Sequence, residues 1–139
     1  MLFKSPKATV GAVVFNSRVG RHCILLTKRN IEPFKDYWCL PGGHVEENEP
    51  ILQAVIREVK EETNLDFTPE FLNYFEEIFP DQKIHNVALF FYGPSNGTPI
   101  PEESEVSDMD WFLLNDALKL DLAFRHAEVL KFYKSKIQL

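Results

Sequence analysis

The stretch from Pro50 to Thr63 constrains this chain more than any other. Ile51, Leu52, Val55, Ile56 and Val59 recur at helical spacing, so a helix here must bury one face. Pro50 fits the first helical position, where its missing N–H leaves no bond unmade. Asn64 follows, and asparagine tolerates the left-handed conformation that ends helices. Beside the apolar stripe stand three acids, Glu58, Glu61 and Glu62. At ~100° per residue they share an arc of roughly 100°. Like charges at these spacings oppose helix formation by about 0.2–0.5 kcal/mol per pair. The helix dipole also disfavours anions in the last turn. Such a helix calls for a sheet against one edge, and its acids form either a solvated face, as charge runs on helices usually do, or a seat for a cation.

The remaining sequence supplies a sheet. Ala8–Phe15 and His22–Lys28 read as strands joined by a turn at Asn16–Gly20, and further strands are expected around Phe71–Ile78, Lys83–Tyr92 and Met109–Leu113. Asn115–Leu118 reads as a single helical turn. Ala123–Lys136 reads as a closing helix, with Asp121 or Leu122 near its cap. Asn30–Asn48, carrying Pro33, Pro41, Gly42 and Gly43, reads as a long loop of the kind that carries function. Gly93–Pro101 reads as another loop. Strands before, between and after two helices predict a mixed α/β (α+β) chain with a helix on each face of the sheet. A length of 139 residues suits one domain, residues 1–139.

The formal net charge is −6, and residues 46–62 hold six acids against two bases, or −4 of it. An acidic balance argues against nucleic-acid binding, which needs a basic footprint. Cys23 and Cys39 are too few for a disulfide scaffold or a four-thiolate zinc site and read as reduced core thiols. The N-terminus has no apolar run of signal-peptide length, and Val87–Tyr92 is far short of a membrane span. The expectation is a cytoplasmic protein that needs no membrane. Oxygen-only ligands at Glu58, Glu61 and Glu62 suit Mg²⁺ or Mn²⁺ rather than zinc.

Residues 43–65 read GHVEENEPILQAVIREVKEETNL. This resembles the Nudix box, G-x5-E-x7-R-E-U-x-E-E-x-G-U with U apolar. Gly43, Glu49, Arg57, Glu58, Val59, Glu61, Glu62 and Leu65 match in register, and Asn64 replaces the final glycine. The flanking Trp38-Cys39-Leu40-Pro41-Gly42 is also usual in such proteins. The resemblance implies an α/β/α sandwich with a mixed sheet. It also implies hydrolysis of a nucleoside diphosphate linked to another moiety, with Mg²⁺ or Mn²⁺. Glu58 and Glu62 correspond to the principal metal ligands, and Glu61 to a further ligand or the group that deprotonates water. The Gly42 carbonyl often completes the metal shell. Glu49 and Arg57 usually pair and hold the loop onto the helix, a structural role beside Gly43. Relatives often place another base in a late loop, where Glu102, Glu103 and Glu105 lie here. Glu103 and Glu105 are the candidates, each otherwise a solvated surface acid.

Lys28-Arg29-Asn30 through Trp38, and Leu122-Ala123-Phe124-Arg125-His126, resemble small ADP-ribose pyrophosphatase-like members, which often carry an acid in place of Arg125. Lys28 and Arg29 are candidates for phosphate contact, and Phe34 for stacking on a base. Phe34, Tyr37 and Trp38 serve equally as loop or core anchors. Trp111 is expected in the core, and His44 and His126 as hydrogen-bonded structural residues. The lead substrate is ADP-ribose or a related sugar nucleotide. The alternatives are a MutT-like pyrophosphohydrolase of (oxidised) nucleoside triphosphates, or a sensor module that binds the nucleotide without hydrolysing it. Either a monomer or a homodimer is compatible with the sequence.

Overall fold

Successive side chains of a strand point to opposite faces, so a run of consecutive buried residues marks the middle of a covered sheet. The first strand has such a run: Ala12, Val13 and Val14 are all fully buried. The structure, a computed structural model, describes residues 5–18 and 21–137. The N-terminal residues 1–4, and Val19 and Gly20 at the tip of the expected turn, lie outside the described residues. Strand β1 (Lys7–Arg18) pairs antiparallel with β2 (Arg21–Arg29) and parallel with β7 (Ile84–Asn96). Strands covered on both faces read as continuous apolar runs, as Ala8–Phe15 does.

The two faces carry two cores. Val13 points to one with Ile24, Leu26, Phe90, Val129, Leu130 and Tyr133. Val10, Ala12 and Val14 point to the other with Leu25, Ala54, Val55, Val59 and Phe91. Helix α1 (Ile51–Thr63) covers the second face and α3 (His126–Ile137) the first. The result is the expected α/β/α sandwich around a mixed sheet. The sheet has eight strands, ordered β3 (Trp38–Cys39), β2, β1, β7, β5 (Asp66–Phe67). Off that path, β4 (Gly42–His44) pairs β1, β6 (Glu70–Phe79) pairs β7, and β8 (Val106–Leu113) pairs β2. Among the described residues no helix is long and apolar enough to cross a membrane.

Several boundaries differ from the sequence reading. The loop at Asn30–Asn48 contains β3 and β4, whose pairing with β2 and β1 comes from distant partners rather than local pattern. Strand β7 continues through Gly93 and Pro94 to Asn96. A Cβ on Gly93 would lie 1.9 Å from the Thr68 carbonyl oxygen, so the glycine marks close backbone approach inside a strand. Helix α3 begins at His126 rather than Ala123. Phe124 is left-handed (φ 51°), and the Ala123 N–H donates to the Trp38 carbonyl instead of a helical one. Pro50 caps α1 rather than entering it: its ψ of 145° is extended, while its carbonyl accepts from the Ala54 N–H. The single helical turn α2 is Leu114–Ala117. Asn64 adopts the left-handed cap (φ 66°) expected of it.

The buried face of α1 is also rotated from the expected stripe. Ala54, Val55, Val59, Glu62 and Thr63 are buried, whereas Leu52 and Ile56 are exposed. On the wheel Glu62 lies within about 20° of Ile51 and Val55. Glu62 is therefore part of the packed face, which brings its carboxylate in against the sheet.

Candidate active site

Strand β4 makes that burial possible. A Cβ on Gly42 would lie 2.1 Å from the Val10 carbonyl oxygen, and one on Gly43 would lie 2.5 Å from the Glu58 carboxylate. Without side chains, Gly42 and Gly43 let the backbone run flush between β1 and α1. The Gly42 N–H donates to Glu62 Oε1 at 2.7 Å. Glu62 is 8% exposed, and burial pushes its carboxyl up to about 8, with Glu58 and Glu105 adding to the rise. Burial also raises Glu58, against the pull of Arg57.

Arg57 organises the exposed side. Its Nε donates to Glu49 Oε2 at 2.7 Å and its Nη2 to Glu49 Oε1 at 3.0 Å, a bidentate pair. The same guanidinium reaches Glu58 and Glu61 through Nη1 at 3.0 and 3.1 Å, and the His44 carbonyl through Nη2. The loop is thus tied to the helix, and the strongly hydrogen-bonded Glu49 carboxyl is held low by Arg57. Glu61 turns outward, with its side chain 57% exposed. Only Glu58 and Glu62 face inward, so the three acids do not act as one edge. Among the described residues, no three His, Cys, Asp or Glu side chains are already gathered as a metal cage.

A cleft of about 1110 Å³ opens at this wall. Gly42, Gly43, Arg29, Arg57, Glu58, Glu62 and Glu105 line it. Glu105 reaches it because the loop before β8 docks on the end of α1. The Ile100 N–H donates to the Thr63 carbonyl and the Glu102 N–H to the Glu62 carbonyl, satisfying helix-end acceptors. Glu103, on the same loop, is exposed and does not line the cleft. Neither does Lys28, whose Nζ lies 6.0 Å from the Trp38 ring. Phe34 packs with Tyr37, Phe79 and Phe124, and of these only Phe124 lines the cleft. Arg29 donates from Nε to the Pro33 carbonyl at 2.7 Å and lies 5.0 Å over the Phe124 ring. Arg125 pairs with Glu128 and donates to the Glu76 carbonyl, away from the cleft.

Another part of the cleft wall carries residues that the sequence reading did not single out for the site: Glu77, Asn86 and Phe124. The signal was available in strand alternation. On β6, Phe71, Tyr74 and Ile78 are exposed while Glu77 is buried, the reverse of what their polarity suggests. His126 joins this wall. It is a buried, hydrogen-bonded residue as expected, with Nδ1 accepting from the Leu40 N–H at 3.0 Å. Burial pushes its ring down to about 3, so it is neutral.

The NUDIX domain family matches residues 5–133. The ADPR responsive transcriptional repressor NtrR of Acinetobacter baylyi is 31% identical over 138 residues, covering 93% of this chain and 53% of the repressor. The ADP-ribose pyrophosphatase of Methanocaldococcus jannaschii is 35% identical over 111 residues, covering 79% of this chain and 64% of the relative. The chain thus spans less than two thirds of the length of either curated relative. Among solved structures, the NUDIX domain of Shewanella oneidensis NrtR complexed with ADP ribose superposes with a TM-score of 0.87 at 29% identity, covering 97% of this chain and 90% of that one.

Proposed function

This chain belongs to the NUDIX domain family, and we propose that it is a metal-dependent hydrolase of a nucleoside diphosphate linked to another group, with ADP-ribose or a related sugar nucleotide as substrate. The observation that carries this reading is Glu62, a buried carboxylate on the Gly42 N–H with Glu58 beside it in the cleft wall. An acid raised this far has no nearby cation that fully answers its charge. The donor set is all oxygen, which fits a hard divalent ion. Glu58, Glu62 and the Gly42 carbonyl would hold Mg²⁺ or Mn²⁺. When bound, the ion supplies charge neutralisation of the diphosphate and a lowered pKa for attacking water.

The chain's own residues do the rest. Gly42 and Gly43 let the diphosphate approach the backbone without Cβ clashes. Arg57 fixes the loop against α1, so the carboxylates stay in place. Glu105 lines the same cleft as Glu58 and Glu62, and it is the stronger candidate to take the water's proton. Glu61 remains the alternative base, while Glu103 stands outside. Arg29 also lines the cleft and would meet a phosphate there.

The likeness to the NtrR repressor over 93% of this chain favours a second reading, a module that binds the nucleotide without turning it over. Retention of Glu49, Glu58, Glu61 and Glu62 favours the enzyme. A turnover screen with Mg²⁺ across ADP-ribose, other sugar nucleotides and (oxidised) nucleoside triphosphates separates them. Release of AMP from ADP-ribose, abolished by a chelator, is the expected result. Binding without turnover across the panel would establish the sensor instead, and preference for triphosphates would establish the MutT-like alternative.

A further inference from the structure

Glu77 is 3% exposed. Its Oε1 accepts from Asn86 Nδ2 at 3.2 Å. Its Oε2 is the only buried side-chain nitrogen or oxygen among the described residues with no hydrogen-bond partner. Such groups are rare in folded proteins and call for an occupant. Both Glu77 and His126 line the cleft, and His126 Nε2 stands 3.9 Å from Glu77 Oε2.

The chemistry of that gap is fixed by the other side of the ring. Because His126 Nδ1 accepts from the Leu40 N–H, the neutral imidazole carries its hydrogen on Nε2. A donor therefore faces an orphaned acceptor across a distance too long for a direct bond. One oxygen atom between them can meet both at ordinary lengths of about 2.8 Å, accepting from Nε2–H and donating to Oε2. A hydroxyl does this. A phosphate oxygen has no hydrogen to donate, and an ammonium has no lone pair to accept.

The gap shares its cleft with the carboxylates: Glu58, Glu62, Glu77 and His126 all line it, and the N–H groups that hold His126 and Glu62 belong to Leu40 and Gly42, two residues apart. A diphosphate held at Glu58 and Glu62 would place its attached sugar in this same cleft, where Phe124 offers an apolar surface to the sugar's C–H face. We infer that Glu77 and His126 form a subsite for a hydroxyl of the sugar linked to the diphosphate, so that this pair selects sugar nucleotides over substrates lacking the second sugar. The inference rests on the proposed hydrolysis and names the group that decides its substrate.

The test compares wild type with Glu77→Gln. Glutamine keeps the size and can keep the Asn86 bond through its carbonyl, but it puts an NH₂ where Oε2 was. Two substrates are used with Mg²⁺: ADP-ribose, and the ethyl ester of ADP, which retains the diphosphate and lacks the second sugar. The KM for ADP-ribose should rise about tenfold, as expected for one hydrogen bond to a charged acceptor, with kcat and the ester's kinetics unchanged. Equal losses on both substrates, or no loss, overturn the subsite. Calorimetric titration supplies a readout without turnover. Wild type should bind ribose 5-phosphate at least about tenfold more tightly than inorganic phosphate, and this arm stands even if the variant does not fold. No preference means that the gap holds water only, which also overturns the subsite. Hydrolysis of ADP-ribose with no such preference leaves the proposed function standing without the subsite. A preference that Glu77→Gln removes, in a protein that hydrolyses nothing, leaves the subsite standing without the function.

Discussion

Two buried titratable side chains take their hydrogen bonds from the same three residues of chain. The Leu40 N–H donates to His126 and the Gly42 N–H to Glu62. Burial pushes both toward neutrality, His126 down to about 3 and Glu62 up to about 8. For the histidine that is an end state. Neutral imidazole is its ordinary form at pH 7, and the backbone bond completes it. For the glutamate it is a conflict, because an ordinary carboxyl is charged at that pH and Glu58 adds to the repulsion. The same turn thus builds one finished structural contact and one buried acid whose charge no neighbouring cation fully answers, the group proposed above to hold the metal.

The largest expected effect comes from removing the conflict. Glu62→Gln keeps an acceptor for Gly42 but cannot bind a cation as a carboxylate does. Hydrolysis should fall at least about a hundredfold, while the metal-free melting temperature stays equal or rises. Retained turnover would mean that the Glu62 carboxylate holds no cation that hydrolysis needs.

His126 sets the next effect, through acid. Its folded-state pKa of about 3 lies below the unfolded value of about 6.5. Between those values the unfolded chain holds more protons, so the contribution is full above pH 6.5 and is lost as pH falls. By pH 5 the loss is about 2 kcal/mol. Denaturant titrations of wild type and His126→Gln, run from pH 7 to 5, should show a shallower decline in the variant. Parallel declines would mean that the ring is not held neutral.

Arg57→Lys comes third. Lysine cannot span both Glu49 oxygens as the guanidinium does. Activity should fall about tenfold, within the range for residues that orient ligands, with the circular dichroism spectrum unchanged. The smallest effect is expected at Asn64→Gly. Glycine suits the left-handed cap but loses the Asn64 Nδ2 bond to the Thr98 carbonyl. The two changes should leave unfolding free energy within about 0.5 kcal/mol of wild type and kinetics unaltered.

How much of this was legible in the sequence depended on whether the signal was local. Spacing placed Arg57, Glu58 and Glu62 on one helix, and Asn64 at its end, because both depend on a few consecutive residues. The inward turn of Glu62 was not legible, since it depends on the glycines of β4 meeting β1. Strands of two and three residues such as β3 and β4 carry no period to read. The separate fates of Glu103 and Glu105 follow from how their loop docks on α1. Glu77 could have been found by strand alternation, but acids on strands are ordinarily read as solvated.

The parallel pairing of β1 with β7 joins Val10 to Leu89 and Gly11 to Phe90, partners about eighty residues apart in the chain. On the ribosome, β1, β2 and α1 therefore emerge well before the strand that completes the centre of the sheet. Until residues 84–94 are out, one edge of β1 has no partner, and neither does the apolar surface beneath α1 that Phe91 later fills. Distant pairing of this kind slows folding, because the loop must close before contacts repay it. A nascent chain paused before residue 84 should expose that edge to chaperones, carrying the acidic helix without the cleft it serves.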